Sequence, residues 1–179
     1  MKKIFYWSPY LSNVATIRNV VNSAYSLIKY DNISFRTYIV DVFGEWETKK
    51  KELFEKKIEY LKISNLKINL PISGFLKSRF LSILIFFSSI YPLLKLLKKE
   101  KPDYLIIHLL TSIPFSLLIF FNFKTKFILR ISGLPRLNFL RKLLWKTISK
   151  KITLVTCPSY ETMDYIKNTK IFDEKKIVV

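Results

Sequence analysis

The sequence predicts an α/β fold, a Rossmann-like open parallel sheet with helices on both faces. Three observations lead there. Short apolar runs recur along the chain, each closed by a polar loop and followed by a segment of helical period. These runs are apolar throughout rather than alternating, as strands covered on both sides are. The first unit places a strand, a helix and a second strand within residues 1–43, the length of a βαβ crossover whose strands pair in parallel.

Ile4-Phe5-Tyr6-Trp7 is a compact apolar run stopped by Ser8-Pro9, which suits a buried strand. Ser12 or Asn13 can cap the helix that follows. Its apolar positions Val14, Ile17, Val21, Ala24 and Ile28 recur every three or four residues, leaving Arg18, Asn19, Asn22 and Lys29 for the wet side. Asp31-Asn32 breaks this helix, and Ile33 to Phe43 reads as the second strand before Gly44. The charged stretch 45–57 is predicted helical, Tyr60 to Ile63 a strand, and the surroundings of Pro71 and Gly74 a loop.

Two uncharged runs follow, Phe80 to Leu94 and Tyr104 to Phe123, separated by Lys98-Lys99-Glu100-Lys101-Pro102-Asp103. A pair of membrane-spanning helices is one account of them. A span needs about 20 apolar residues. The first run offers 15 before Lys95, with Ser88, Ser89 and Pro92 inside it, and is not expected to cross. In the second, Pro102-Asp103 ahead of Tyr104-Leu105-Ile106-Ile107-His108 suits the start of a buried parallel strand, and Thr111-Ser112 with Pro114 suits a helix start. Strand then helix is therefore expected, with an inserted or peripheral basic membrane-binding protein as the alternative. Beyond it come a strand over Lys126 to Ile131, a loop over Ser132 to Pro135, a helix from about Asn138 to Lys150, a strand over Ile152 to Cys157, a helix from Tyr160 to Asn168 and a strand from Lys176. Residues 1–179 read as a single domain. The last residues, Ile177-Val178-Val179, carry no cap, turn or tail, so a further domain is expected after them.

Composition narrows the class. The chain has 179 residues, half of them hydrophobic, with 7 prolines and 3 glycines, which excludes disordered and collagen-like proteins. One cysteine and one histidine leave no ligand set for zinc, and the thiol reads as reduced and intracellular. Basic residues number 31 against 13 acidic, a net +18. Lysines carry most of it, 25 against 6 scattered arginines, so the forks that read bases are not clustered and no nucleic-acid partner is expected. An anionic membrane surface remains as a partner for such charge. Met1-Lys2-Lys3 precedes an apolar run too short for a secretory signal, which points to the cytoplasm.

In a parallel sheet the loops Ser8 to Thr16, His108 to Ser112, Arg130 to Arg136 and Cys157 to Thr162 share one edge, where helix N-termini favour a phosphate or a sugar hydroxyl. No GxGxxG or P-loop sharpens this, and each loop residue has the plain alternative of a helix cap. His108 ends an apolar strand, where an imidazole either serves the cleft or is a satisfied core residue. Cys157, after another apolar strand, reads as buried rather than nucleophilic. No serine, histidine and carboxylate set and no close acidic pair can be assembled, so a self-contained hydrolase is not supported. The helix after Gly133 sets Leu137, Leu140, Leu144 and Ile148 beside many cations. It can lie on anionic lipid with Arg141, Lys142, Trp145 and Lys146 at the surface, or present a simply solvated lysine face.

The order strand, polar loop, helix at the start, then Pro102-Asp103-Tyr104-Leu105-Ile106-Ile107-His108, then the strand ending Arg130-Ile131-Ser132-Gly133, then Val155-Thr156-Cys157-Pro158-Ser159, resembles the N-terminal acceptor-side domain of glycosyltransferase family 4, the group 1 enzymes. Two positions depart from it: Ser132 stands where the family has a second histidine, and Ser8-Pro9-Tyr10-Leu11-Ser12-Asn13 replaces a glycine-rich loop. The resemblance implies a GT-B architecture of two Rossmann-like domains. The N-terminal one would hold the acceptor, and a C-terminal one, absent from this chain, the nucleotide-sugar and the catalytic carboxylates. It implies a retaining, metal-independent hexosyltransferase with no cofactor besides the nucleotide-sugar donor, inactive as this part alone. It also implies a lipid-linked saccharide acceptor at the inner face of the plasma membrane, in bacterial surface polysaccharide or lipopolysaccharide synthesis. The expected acceptor-binding residues are Tyr10, Asn13, Thr16, His108, Ser132, Gly133 and Arg136.

Overall fold

The computed structural model describes residues 1–11, 15–30, 34–64 and 75–179, and side chains within the last stretch from residue 80 onward. Its centre is a seven-stranded sheet. The strands are β1 (Lys2–Trp7), β2 (Phe35–Asp41), β3 (Glu59–Lys62), β4 (Tyr104–Ile107), β5 (Lys126–Arg130), β6 (Ile152–Thr156) and β7 (Ile177–Val178). They lie in the order β3-β2-β1-β4-β5-β6-β7, and every pairing is parallel. The Rossmann-like fold read from the sequence is the one observed.

Side-chain alternation sorts the core into two layers. Phe5, Trp7, Leu105, Ile107, Phe127 and Leu129 face one layer, and Ile4, Tyr6, Ile39 and Ile106 the other. The second layer is closed by α1 (Ala15–Tyr30) through Ile17, Val20, Val21 and Ala24, and by the short α2 (Lys50–Glu55) through Leu53. The first layer is closed by α3 (Phe75–Glu100), α4 (Ser112–Phe120), α5 (Phe139–Ile148) and α6 (Tyr160–Asn168).

Several expected boundaries move, each for a local reason. The stretch 45–57 is not one helix but a 3-10 turn, Glu47–Lys49, leading into α2. Ahead of it the Glu45 carboxylate accepts from the backbone N–H of Val42 and Phe43, and Asp41 accepts from those of Gly44 and Trp46, which folds 41–46 into a turn. Gly44 takes the left-handed backbone this turn requires, at φ +92°. The first apolar run extends past Leu94 into a 26-residue helix that carries Pro92 within it. Ile85, Ser89, Leu93 and Leu97, one every four residues, are all buried in α3 and hold it against the sheet. Lys101, with φ 44°, and Pro102 then end the helix. The second apolar run is β4 followed by α4, so it is not a single spanning helix. The helix expected over 138–150 is α5, capped by the Asn138 side chain accepting from Arg141 N–H at 2.9 Å. The cap at Ser12 or Asn13, Val14, the Asp31-Asn32 break, Ile33 and the loop at Pro71 and Gly74 lie outside the described residues.

Candidate functional site

The strand order reverses at β1, with β2 on one side and β4 on the other, and the crevice beyond the carboxyl ends of strands at such a point is where open α/β sheets take ligands. Register fixes what gathers there. Trp7 lies opposite Ile107, Ile107 opposite Leu129, and Arg130 opposite Thr156. The residues that follow these strand ends therefore emerge side by side, and the His108 N–H donates to the Trp7 carbonyl at 2.9 Å.

A cavity of about 490 Å³ opens at this edge. His108, Thr111 and Ser112 line one wall, Arg130, Ser132 and Gly133 the second, and Leu140, Arg141, Leu144 and Trp145 of α5 the third. Among the described residues that line it, none is an aspartate or glutamate. The floor is apolar and the rim carries donors and hydroxyls, the mix that holds a polar small molecule by shape and a few directed hydrogen bonds.

His108 is the centre of this surface. It is only 5% exposed, and neither Nδ1 nor Nε2 has a hydrogen-bond partner within the described protein. Burial, assisted by the positive charge of Arg130, pushes its pKa down to about 3, so the ring is neutral at physiological pH. A neutral imidazole offers one donor and one acceptor. Its ring lies beside Tyr6 with centroids 6.0 Å apart. The indole N–H of Trp145 is a second buried donor on the same cavity without a partner among the described residues. Leu110, two residues past His108, is held at φ 44°, a strained setting for a branched side chain. Its carbonyl accepts from Trp7 Nε1 and from the Ile113 N–H.

The expected binding residues do not all meet. His108, Ser132 and Gly133 share the cavity, and a Cβ at Gly133 would meet nothing within 4 Å. Tyr10 is buried elsewhere: its hydroxyl donates to the Glu45 carbonyl and its ring meets Trp46 edge-on, so it pins the loop after β1 to the turn after β2. Thr16 is buried on α1. Arg136 is exposed beside the cavity rather than in it, and its carbonyl accepts from Arg141 Nη1 at 2.9 Å. Asn13 lies outside the described residues.

The expected surface set on α5 needs one correction. Trp145 is not at the surface but 3% exposed, packed between Phe115 and Phe172, because its position falls on the helix face turned to the sheet. Arg141, Lys142 and Lys146 are exposed as expected. Cys157 is buried, and burial pushes its thiol pKa up.

Two features were not singled out in the sequence. Arg130, given there no binding role, donates from Nη1 to Ser23 Oγ at 3.0 Å and adjoins three cavities at this edge. Asn19 and Ser23 reach the same place from α1, where helical spacing had assigned Asn19 to plain solvent. A charged residue closing an otherwise apolar strand was the signal available for Arg130.

No family model matches the chain, and no curated protein matches it. Solved structures do. The UDP-GlcNAc 2-epimerase from Neisseria meningitidis bound to UDP-GlcNAc superposes with TM-score 0.63 at 15% identity, over 100% of this chain and 46% of its own. The lipopolysaccharide outer core galactosyltransferase WaaB gives 0.57 at 14%, over 100% of this chain and 45% of its own. The spinosyn forosaminyltransferase SpnP gives 0.56 at 12%, over 91% and 47%. The chain thus has the fold of one half of GT-B proteins and spans just under half the length of these relatives in structure.

Proposed function

We propose that this chain is the N-terminal, acceptor-binding part of a retaining, metal-independent glycosyltransferase of family 4 type. It would move a hexose from a nucleotide-sugar, held by a C-terminal domain, to a lipid-linked saccharide in bacterial surface polysaccharide synthesis. The observation that carries the reading is the cavity at the switch point, with a buried neutral His108 whose ring nitrogens both lack a partner among the described residues. A buried polar group without a partner costs about 1–3 kcal/mol, and a ligand hydroxyl meeting His108 recovers it. The absence of carboxylates among the described lining residues supports binding rather than acid–base chemistry in this half.

A lipid-borne acceptor is supported by the outer surface of the helical layer. Phe80, Ile83, Leu84, Phe87 and Tyr91 form an exposed apolar row on α3, opposite its buried stripe, with Lys95, Lys98 and Lys99 at the helix end. By length and composition residues Phe80–Glu100 could cross a membrane. The buried stripe instead supports a helix lying in the membrane surface, with its apolar row among the acyl chains and its lysines at the headgroups. Arg141, Lys142 and Lys146 add charge on α5, in the same helical layer. The reading therefore places the protein at the cytoplasmic face of the plasma membrane.

The test is to incubate the complete gene product with labelled nucleotide-sugars and a bacterial lipid extract. Label entering the lipid phase is the expected result. Interconversion of UDP-sugar epimers with no transfer would replace this reading by an epimerase.

A further inference from the structure

We propose that Arg130, with His108, Asn19 and Thr156 around it, forms a subsite for a phosphate group. Arg130 closes β5 and lines three cavities, of about 490, 380 and 310 Å³, with its guanidinium held toward α1 by Ser23. A guanidinium carries five N–H donors in a planar fork. In the described protein one of them is used, on Ser23 Oγ, and no carboxylate pairs with the group. The charge is not idle packing, because it is half-buried among neutral partners: Ser23 shares its hydroxyl with Tyr6, at 3.1 Å, and His108 is uncharged.

The second, independent observation is the set of unsatisfied atoms that surround it. Both ring nitrogens of the buried His108 and the Thr156 hydroxyl have no partner among the described residues, and Asn19 and Ser132 stand exposed on the walls that Arg130 also lines. Four neutral groups able to donate, around one unpaired cation and without an aspartate or glutamate among the described residues of the three walls, select an anion with many acceptor oxygens. A phosphate fits this better than a carboxylate. It presents three or more oxygens to the fork and to the flanking hydroxyl and amide donors, where a carboxylate presents two.

The inference rests on the proposed function only for the source of the phosphate, which is either a lipid-linked diphosphate acceptor or a free phosphate. The test reads Arg130 itself. The complete gene product is treated with an arginine-selective dicarbonyl reagent, with and without inorganic diphosphate, and modification is followed residue by residue by peptide mass mapping. Diphosphate is expected to slow modification of Arg130 at least tenfold while leaving the exposed Arg18 unchanged. Equal effects at the two arginines, or none, overturn the subsite. Asn19→Ala, on the exposed face of α1, leaves the fold intact and is expected to raise the diphosphate concentration needed for protection several-fold; an unchanged concentration also overturns it. A short prenyl diphosphate protecting at tenfold lower concentration assigns the subsite to a lipid-linked ligand, and equal protection assigns it to free phosphate. Protection without sugar transfer leaves the subsite standing and removes the transferase reading, and transfer without protection does the reverse.

Discussion

Arg130 Nη1 lies 3.0 Å from Ser23 Oγ across 107 positions of sequence, which ties the carboxyl end of β5 to the middle of α1. Ser23 in turn meets the Tyr6 hydroxyl at 3.1 Å. One serine thus orients both the cation of the cavity and the phenol beneath it. Ser23→Ala removes two hydrogen bonds in a half-buried setting and is expected to cost about 1–2 kcal/mol in urea denaturation. A midpoint equal to that of the parent would show that the contact orders nothing.

The depressed His108 pKa makes a statement about stability. An unfolded histidine takes up its proton near the ordinary 6.5, whereas the folded chain refuses it until about 3. Stability contributed by the neutral ring is therefore complete above 6.5 and lost as pH falls through that window, with a slope of up to about 1.4 kcal/mol per pH unit. His108→Gln, which does not titrate, should flatten the curve measured by urea midpoints between about pH 4 and 7. Parallel curves for the two proteins would contradict a buried neutral ring.

Glu45 has the opposite sign. Burial, and then the neighbouring Asp41 carboxylate, raise its pKa well above the ordinary value, so the fold favours its protonated form. Stability from that form is present at low pH and is lost as pH rises from the unfolded value through the raised one. Glu45→Gln keeps the acceptor for the Val42 and Phe43 N–H groups and carries no charge. The variant should match the parent near pH 4.5 and exceed its stability by a widening margin at higher pH. A margin that is constant with pH would contradict a Glu45 pKa raised by burial and by Asp41.

The proposed membrane contact and core packing are separated by two variants. Trp145→Ala should destabilise by about 3–5 kcal/mol, as for any large buried aromatic, because Trp145 is packed against Phe115 and Phe172. Phe87→Ser, at a side chain 70% exposed, should leave the unfolding midpoint in place and reduce flotation with anionic vesicles severalfold. Vesicle binding that survives Phe87→Ser combined with Phe80→Ser would remove α3 as the contact.

The strands and their parallel pairing were legible in the sequence because buried parallel strands are short apolar runs that need no tertiary context to be seen, whereas their order came only with the structure. The strands expected over Tyr104 to His108 and Lys126 to Ile131 are found within one residue for that reason, as Tyr104–Ile107 and Lys126–Arg130. Helix lengths were less so: the periodicity of α3 continues under Lys95 and Lys98, and only the buried Leu93 and Leu97 show that the charges sit on its outer side. The site was half legible. His108 and Ser132 follow strands directly, so the edge of the sheet brings them together whatever the loops do. Arg130 and Ser23 depend on an approach across 107 residues, and Trp145 on the rotation of α5 about its axis, neither of which composition or period specifies.

The most direct measurement is the acceptor dependence of sugar transfer by the complete gene product, parent against His108→Ala. The account predicts an acceptor KM raised at least tenfold, about 1.4 kcal/mol of lost binding, with the donor KM unchanged. Acceptor and donor KM both unchanged would contradict the assignment of this cavity to the acceptor.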